Sequence, residues 1–174
     1  MLLSMIDRSR AVNLHPSTRG IQLAVRGAIG AGLSIAIAQF FGLQYPIYAF
    51  IAAVIVTDLT PSQTRQLGLI RILATIVGAV CGAALSIFLP PGPLAIGLSI
   101  FLAMMICEVM RASNAAKVAG FICGLVVFDH SAEPWHYAFF RSIETALGIA
   151  VAWAISYVPK LLRTEEAEGE GSSR

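Results

Sequence analysis

The sequence predicts an all-α integral membrane protein of six transmembrane helices arranged as two inverted three-helix repeats, and three observations indicate this fold class. First, 57% of the 174 residues are hydrophobic and only 13% are charged, whereas soluble domains carry roughly one-quarter charged residues. Second, the apolar residues fall into six runs separated by short turns. Third, a spanning helix needs about 20 mainly apolar residues, so six crossings nearly fill the chain and leave no room for a separate soluble domain.

The first three runs predict a first three-helix repeat over residues 21–89, after a cytoplasmic lead-in at residues 1–20. Pro46 suits the first position of a helix, and the short run that it begins stops at Asp58. The predicted helices are residues 21–43, 46–57 and 67–89, with a polar hairpin loop at residues 59–66.

The last three runs predict a second three-helix repeat over residues 94–158. The tail at residues 164–174 consists mainly of Gly, Ser and Glu, so we expect it to be disordered and cytoplasmic. The predicted helices are residues 94–110, 117–128 and 137–157, with polar turns at residues 111–114 and 130–136.

Basic residues alternate between the two ends of these helices, which predicts the orientation in the membrane. Lys and Arg are retained on the cytoplasmic side in short loops. The basic residues before helix one, at the second and fourth turns and after helix six all belong to one side, and Arg141 is the exception. We therefore expect a multi-pass inner-membrane protein with both termini in the cytoplasm.

An internal repeat relates the two halves. Arg71, Thr75 and Gly78 have the same spacing as Arg141, Thr145 and Gly148, 70 residues later. Since three crossings is an odd number, the two copies must have opposite orientations, as in many transporters. Helices two and five are too short to span lipid alone, which predicts a cavity between the halves.

Arg71 and Arg141 are the leading candidates for binding an anion. Pseudo-symmetry would place one near each mouth of the cavity, and an Arg side chain can grip a carboxylate through two parallel hydrogen bonds. Alternatively, each Arg lies near a helix end, extends to lipid headgroups, and pairs with an Asp or with Glu144.

Five further residues belong to the candidate substrate site, each with a structural alternative. Asp58 and Asp129 could bind a coupling proton or could cap loops. Thr75 and Thr145 could contact substrate or bond back to their own helices. Tyr48, with Tyr45, Trp135 and Tyr137, could stack on an aromatic substrate or form an interfacial aromatic belt.

Composition and motifs argue against other function classes. A net charge of +2 with no basic stripe does not indicate a nucleic-acid partner. The three cysteines lie in apolar runs without paired spacing, and the three histidines form no cluster, so the sequence predicts no metal site. No nucleophile elbow, phosphate loop or HExxH motif is present, so it predicts no enzyme and no cofactor.

Two segments carry a resemblance to a known family. The run Tyr45-Pro46-Ile47-Tyr48-Ala49, followed by Asp58, and the two Arg-Thr-Gly signatures resemble the fusaric acid resistance and aromatic acid exporter superfamily over about residues 15–160. The resemblance implies efflux or conductance of organic anions, aromatic carboxylates included, across a bacterial inner membrane. The related aluminium-activated malate channels imply a homo-oligomer, at least a dimer, with a basic pore.

We expect this chain to depart from many larger family members, because its sequence predicts no cytosolic domain after helix six. The resemblance therefore leaves two mechanisms open, an exporter driven by an ion gradient and a passive anion channel. A function of another class is also open, namely a non-transporting membrane scaffold or assembly protein whose glycine faces bind other helices. Such a scaffold would be indifferent to the charge of the arginines.

Overall fold

A computed structural model describes residues 18–90, 92–129 and 133–158, which form six α-helices. The predicted all-helical class and the six helices are confirmed. Most of the predicted lead-in and the whole of the predicted tail lie outside the described residues, although residues 18–20 already belong to the first helix. The helices are α1 (Thr18–Phe40), α2 (Pro46–Val56), α3 (Pro61–Phe88), α4 (Pro93–Val109), α5 (Ser113–Asp129) and α6 (Pro134–Ser156).

Three of these helices, α1, α3 and α6, are long and apolar enough to cross a membrane within the described part of the chain. Helix α2 has 11 residues, or about 17 Å, against a hydrocarbon core of about 30 Å, so its predicted shortness is confirmed. The fifth helix is longer than predicted, although it is not among the three helices long enough to cross a membrane. Helix α5 has 17 residues, because Ser113 to Ala116 are helical as well.

The two helices that carry the candidate arginines begin earlier than the apolar pattern predicts. The predicted loop at residues 59–66 is wrong from Pro61 onward, and the predicted polar segment at residues 130–136 is wrong from Pro134 onward. Each proline occupies the start of its helix, where its missing N–H costs nothing. The first turns appear loop-like in sequence because residues such as Arg65 and His136 are exposed.

Helices α3 and α6 contact each other at the centre of the bundle and run antiparallel. Gly68 of α3 lies against Ile149 of α6. Further along α3, Ile76 lines a pocket together with Phe139, which precedes Ile149 on α6. Helix α5 packs on α3, and α2 packs on α6. Helix α4 lies against α5, and α1 against α2, whereas the backbones of α2 and α5 do not come into contact within the described residues.

Two glycines permit the closest approaches between helices. A Cβ atom on Gly78 of α3 would overlap the backbone oxygen of Ala119 in α5, and one on Gly148 of α6 would overlap the backbone oxygen of Ala49 in α2. Small residues allow backbones to approach in this way in membrane helices. Both contacts join equivalent positions, since Gly148 follows Gly78 and Ala119 follows Ala49 by 70 residues.

Helices α1 and α4 end in the same backbone motif. Gly42 has φ 65° and Arg111 has φ 56°. The next residue in each case donates its N–H back to a carbonyl oxygen five residues earlier, Leu43 to Ala38 and Ala112 to Cys107. These are the bonds of a Schellman cap, in which glycine is the usual residue with positive φ.

Candidate functional site

Arg141 is buried in the contact between α6 and α2. Only 2% of its surface is exposed, and its guanidinium carbon lies 3.7 Å from the centre of the Tyr48 ring. Its Nη1 atom donates to the Tyr137 hydroxyl at 2.7 Å, and that hydroxyl donates to the Tyr48 hydroxyl at 2.7 Å. A cation over an aromatic face is attracted by the ring electrons, so Arg141 is held in one orientation.

Two tyrosine rings, Tyr48 and Tyr137, lie against this arginine, and Tyr45 packs on both of them. Tyr137 packs edge-on against Tyr45 and Tyr48, with ring centres 5.3 and 5.9 Å away. Tyr137 is buried and the other two are half-buried. Trp135, by contrast, is 52% exposed, as a belt residue would be.

Glu144 lies one turn further along α6 and is fully buried. Its Oε1 atom accepts the backbone N–H of Tyr45 at 2.6 Å, at the start of α2. Its Oε2 atom has no hydrogen-bond partner. Arg141 is within electrostatic reach, yet the two side chains form no ion pair within the described part of the chain. The sequence pattern predicts Glu144 only as a partner for Arg141, although an acidic residue inside an apolar helix is itself a functional signal.

Arg71 is 8% exposed on α3, and its Nε atom has no hydrogen-bond partner. It is within electrostatic reach of Arg141. The positions equivalent to Tyr48 and Tyr137 in the other half are Val118 and Leu67, so Arg71 lacks the aromatic and hydroxyl partners that hold Arg141.

Both arginines lie well inside their helices and not in the first turn. Arg71 is ten residues beyond Pro61 and Arg141 is seven beyond Pro134, or about 15 and 10 Å along the axes. The expectation that each lies near a helix end is wrong, because the helices begin before their apolar runs. The two arginines are within electrostatic reach of each other.

The remaining candidate residues fall into two groups. Thr75 and Thr145 are buried, and the Thr75 hydroxyl donates to the Arg71 carbonyl oxygen at 2.9 Å, which is the bond back to its own helix. Asp58 lies in the α2–α3 turn, where its carboxylate accepts the Leu59 N–H at 2.6 Å. Asp129 is the exposed last residue of α5. Neither aspartate is among the described contacts of the two buried arginines.

A third buried arginine makes contacts that the sequence does not predict. Arg26 of α1 is 6% exposed and donates to the carbonyl oxygens of Leu59 and Val158, both at 2.8 Å, and of Asp58 at 3.3 Å. It thereby joins α1 to the α2–α3 turn and to the end of α6. The sequence pattern predicts for Arg26 only a cytoplasmic charge.

The described residues contain no group of three His, Cys, Asp or Glu side chains that could hold a metal ion. What they do hold are buried arginines, a buried carboxyl group and a tyrosine cluster, between helices of membrane-spanning length and composition. A soluble protein would not expose so many large apolar side chains to water. Leu94, Phe40 and Phe88 are all at least 79% exposed. The fold and site therefore define a multi-pass membrane protein.

Comparison with known families also indicates a membrane protein. The model of the Fusaric acid resistance protein-like family matches residues 33–155, more than two thirds of the chain, so the chain belongs to this family. The resemblance inferred from the Tyr45 segment and the Arg-Thr-Gly signatures is confirmed. The family is one of membrane transporters and is not enzymatic. Compared with curated proteins and with solved structures, the chain gives no match.

Proposed function

We propose that the protein moves organic carboxylate anions, aromatic ones included, across a bacterial inner membrane, and that Arg71 and Arg141 bind the anion. The observation that carries the proposal is the pair of buried arginines on α3 and α6, neither of which forms an ion pair with a described carboxylate. Buried charges are costly unless they are paired. An anionic substrate would supply the missing partner.

The two arginines would contribute in different ways. Arg141 is oriented by Tyr48 and Tyr137, whereas Arg71 lacks such partners. Both arginines keep a buried Nε donor without a hydrogen-bond partner. An Arg fork matches the two oxygens of a carboxylate, which Lys does not. The nearby tyrosine rings offer an edge or face to an aromatic acid. The alternative that the arginines extend to headgroups fits poorly with their burial.

We also propose that the helices form two inverted repeats. Gly78 packs against Ala119 as Gly148 packs against Ala49, at equivalent positions of the two halves, and this supports the arrangement. The matching caps at Gly42 and Arg111 also support it. Swapping the two halves leaves the order of helix packing unchanged, with α2 and α5 on opposite flanks of the central pair. The anion path would then pass between these flanks, with both termini in the cytoplasm.

Flux in proteoliposomes tests the function. We expect the purified chain to carry radiolabelled benzoate or malate, and Arg71→Ala or Arg141→Ala to lower the rate at least ten-fold. Arg65→Ala is the matched control, since Arg65 is an exposed arginine on the same helix as Arg71. If the wild type moves neither anion, or if both variants match it, the scaffold function should be preferred.

Two further measurements divide the remaining alternatives. A potassium diffusion potential should drive benzoate through a passive channel without any ion gradient of another kind, whereas an exporter should require a coupling ion. Reporter fusions test topology, because a fusion after residue 131 that reports the cytoplasm would refute the inverted repeat. Cross-linking in native membranes tests the proposed homo-oligomer.

A further inference from the structure

We propose that Glu144 is a proton-binding site that is linked to anion binding, so that a proton on Glu144 increases the affinity of the two arginines for an anion. This inference rests on the proposed function and adds its regulation. It moves the candidate proton site from Asp58 and Asp129, which lie at a turn and at an exposed helix end, to a fully buried carboxyl group.

The geometry leaves one carboxyl oxygen available for the proton. Oε1 accepts the N–H of Tyr45, while Oε2 is buried without a hydrogen-bond partner. A proton can therefore bind Oε2 as the carboxylic acid forms, and the bond from Tyr45 stays intact. No other covalent bond is made or broken, and the proton comes from and returns to water.

The charges explain why proton and anion would promote each other's binding. Arg141 is within electrostatic reach of both Glu144 and Arg71. With Glu144 ionised, its negative charge offsets one of the two positive charges, and with Glu144 neutral both remain. Since attraction at short range in a poorly solvated site is strong, the neutral form favours the anion. Linkage makes the effect reciprocal, so a bound anion also favours the proton.

The helices packed against α6 carry other titratable and charged groups. Arg26 of α1 is bound to the Val158 carbonyl oxygen just beyond α6 and to two carbonyl oxygens of the α2–α3 turn, and Lys117 and Asp129 of α5 are exposed. Of all these groups, only Arg141 and the Tyr45 amide interact with the Glu144 carboxyl. The full set is Arg19 and Arg26 on α1, Tyr45 and Tyr48 at α2, Arg65, Arg71 and Cys81 on α3, Lys117, Cys123 and Asp129 on α5, and His136, Tyr137 and Arg141 on α6 itself.

The two halves differ at this position, which predicts one proton per chain. Ala74 occupies the place equivalent to Glu144, and it packs with Ala115, the equivalent of Tyr45, in an apolar cluster. The first half therefore has no carboxyl group at the matching contact.

Calorimetric binding of benzoate to the full chain tests the proposal between about pH 6 and pH 8.5, where benzoate itself stays ionised. We expect the wild type to bind at least five-fold more tightly at the lower pH. Glu144→Gln should bind with one affinity across the range, similar to that of the wild type at low pH. Its amide oxygen can still accept the Tyr45 N–H, and size-exclusion chromatography with thermal unfolding checks that it folds.

A second readout follows protons directly. In weak buffer, benzoate should draw up to one proton per wild-type chain and none with Glu144→Gln, whereas Asp58→Asn and Asp129→Asn should behave as the wild type. Benzoate binding that ignores pH, or a Glu144→Gln variant that keeps the pH dependence, overturns the proton site alone. Absence of wild-type binding at every pH overturns the benzoate function together with it.

Discussion

The guanidinium group of Arg141 rests on the ring of Tyr48, with 3.7 Å between the guanidinium carbon and the ring centre. The contact joins α6 to α2, and the Tyr137 hydroxyl adds a hydrogen bond to each of the two residues. The same arginine is proposed to bind the anion. Substitutions of Tyr48 can therefore test separately what its ring and its hydroxyl contribute to anion flux.

Tyr48→Leu removes the ring and should release Arg141 from its orientation. A desolvated cation–π contact contributes about 2 kcal/mol, so we expect benzoate flux in proteoliposomes to fall ten-fold or more. Tyr48→Phe keeps the ring and loses only the hydroxyl, so it should retain most of the flux. Equal rates for the leucine and phenylalanine variants would show that the ring does not position Arg141.

Gly148→Ala should destabilise the helix packing, because the new Cβ atom would overlap the backbone of Ala49. Overpacking costs typically about 1–3 kcal/mol, and a backbone neighbour cannot swing away. We expect a lower unfolding temperature in detergent, and the same for Gly78→Ala. Gly97→Ala is the control, since a Cβ atom there meets nothing within 4 Å. If all three variants unfold together with the wild type, these contacts are looser than described.

Arg26→Ala should loosen α1 from the rest of the bundle. The change leaves the Leu59 and Val158 carbonyl oxygens without their charged donor, and hydrogen bonds to charged groups contribute about 1.5–3 kcal/mol each. We expect a clear loss of thermal stability, which Arg26→Lys restores only in part. Arg19→Ala, an exposed arginine on the same helix, should have little effect. A comparable loss in Arg19→Ala would point to a general charge effect instead.

Arg111→Gly should stabilise the protein, because Arg111 holds a φ of 56° that costs a residue with a Cβ atom about 1–2 kcal/mol. The reverse change, Gly42→Ala at the equivalent cap, should destabilise it. Thermal unfolding of both variants measures the pair. A lower unfolding temperature for Arg111→Gly would mean that the arginine side chain contributes more than the backbone strain removes.

Much of the fold was accessible from sequence because bilayer thickness constrains composition so strongly. Long apolar runs predicted the six helices, and the stop at Asp58 predicted the short α2. The starts of α3 and α6 were missed because exposed polar residues in a first helical turn have the same composition as a loop. Proline at Pro61 and Pro134 was the available signal, since it favours the first position of a helix.

The sequence by itself determined the membrane class and the family, and it identified Arg71 and Arg141 as candidate anion-binding residues. These inferences depend on composition, length and local spacing. Only the tertiary structure decided what the arginines touch. Tyr48 and Tyr137 are 89 residues apart, and Arg26 and Val158 are 132 apart, so no local pattern relates them. Burial and the packing of α2 on α6 bring these groups together, and they leave Glu144 with one carboxyl oxygen free.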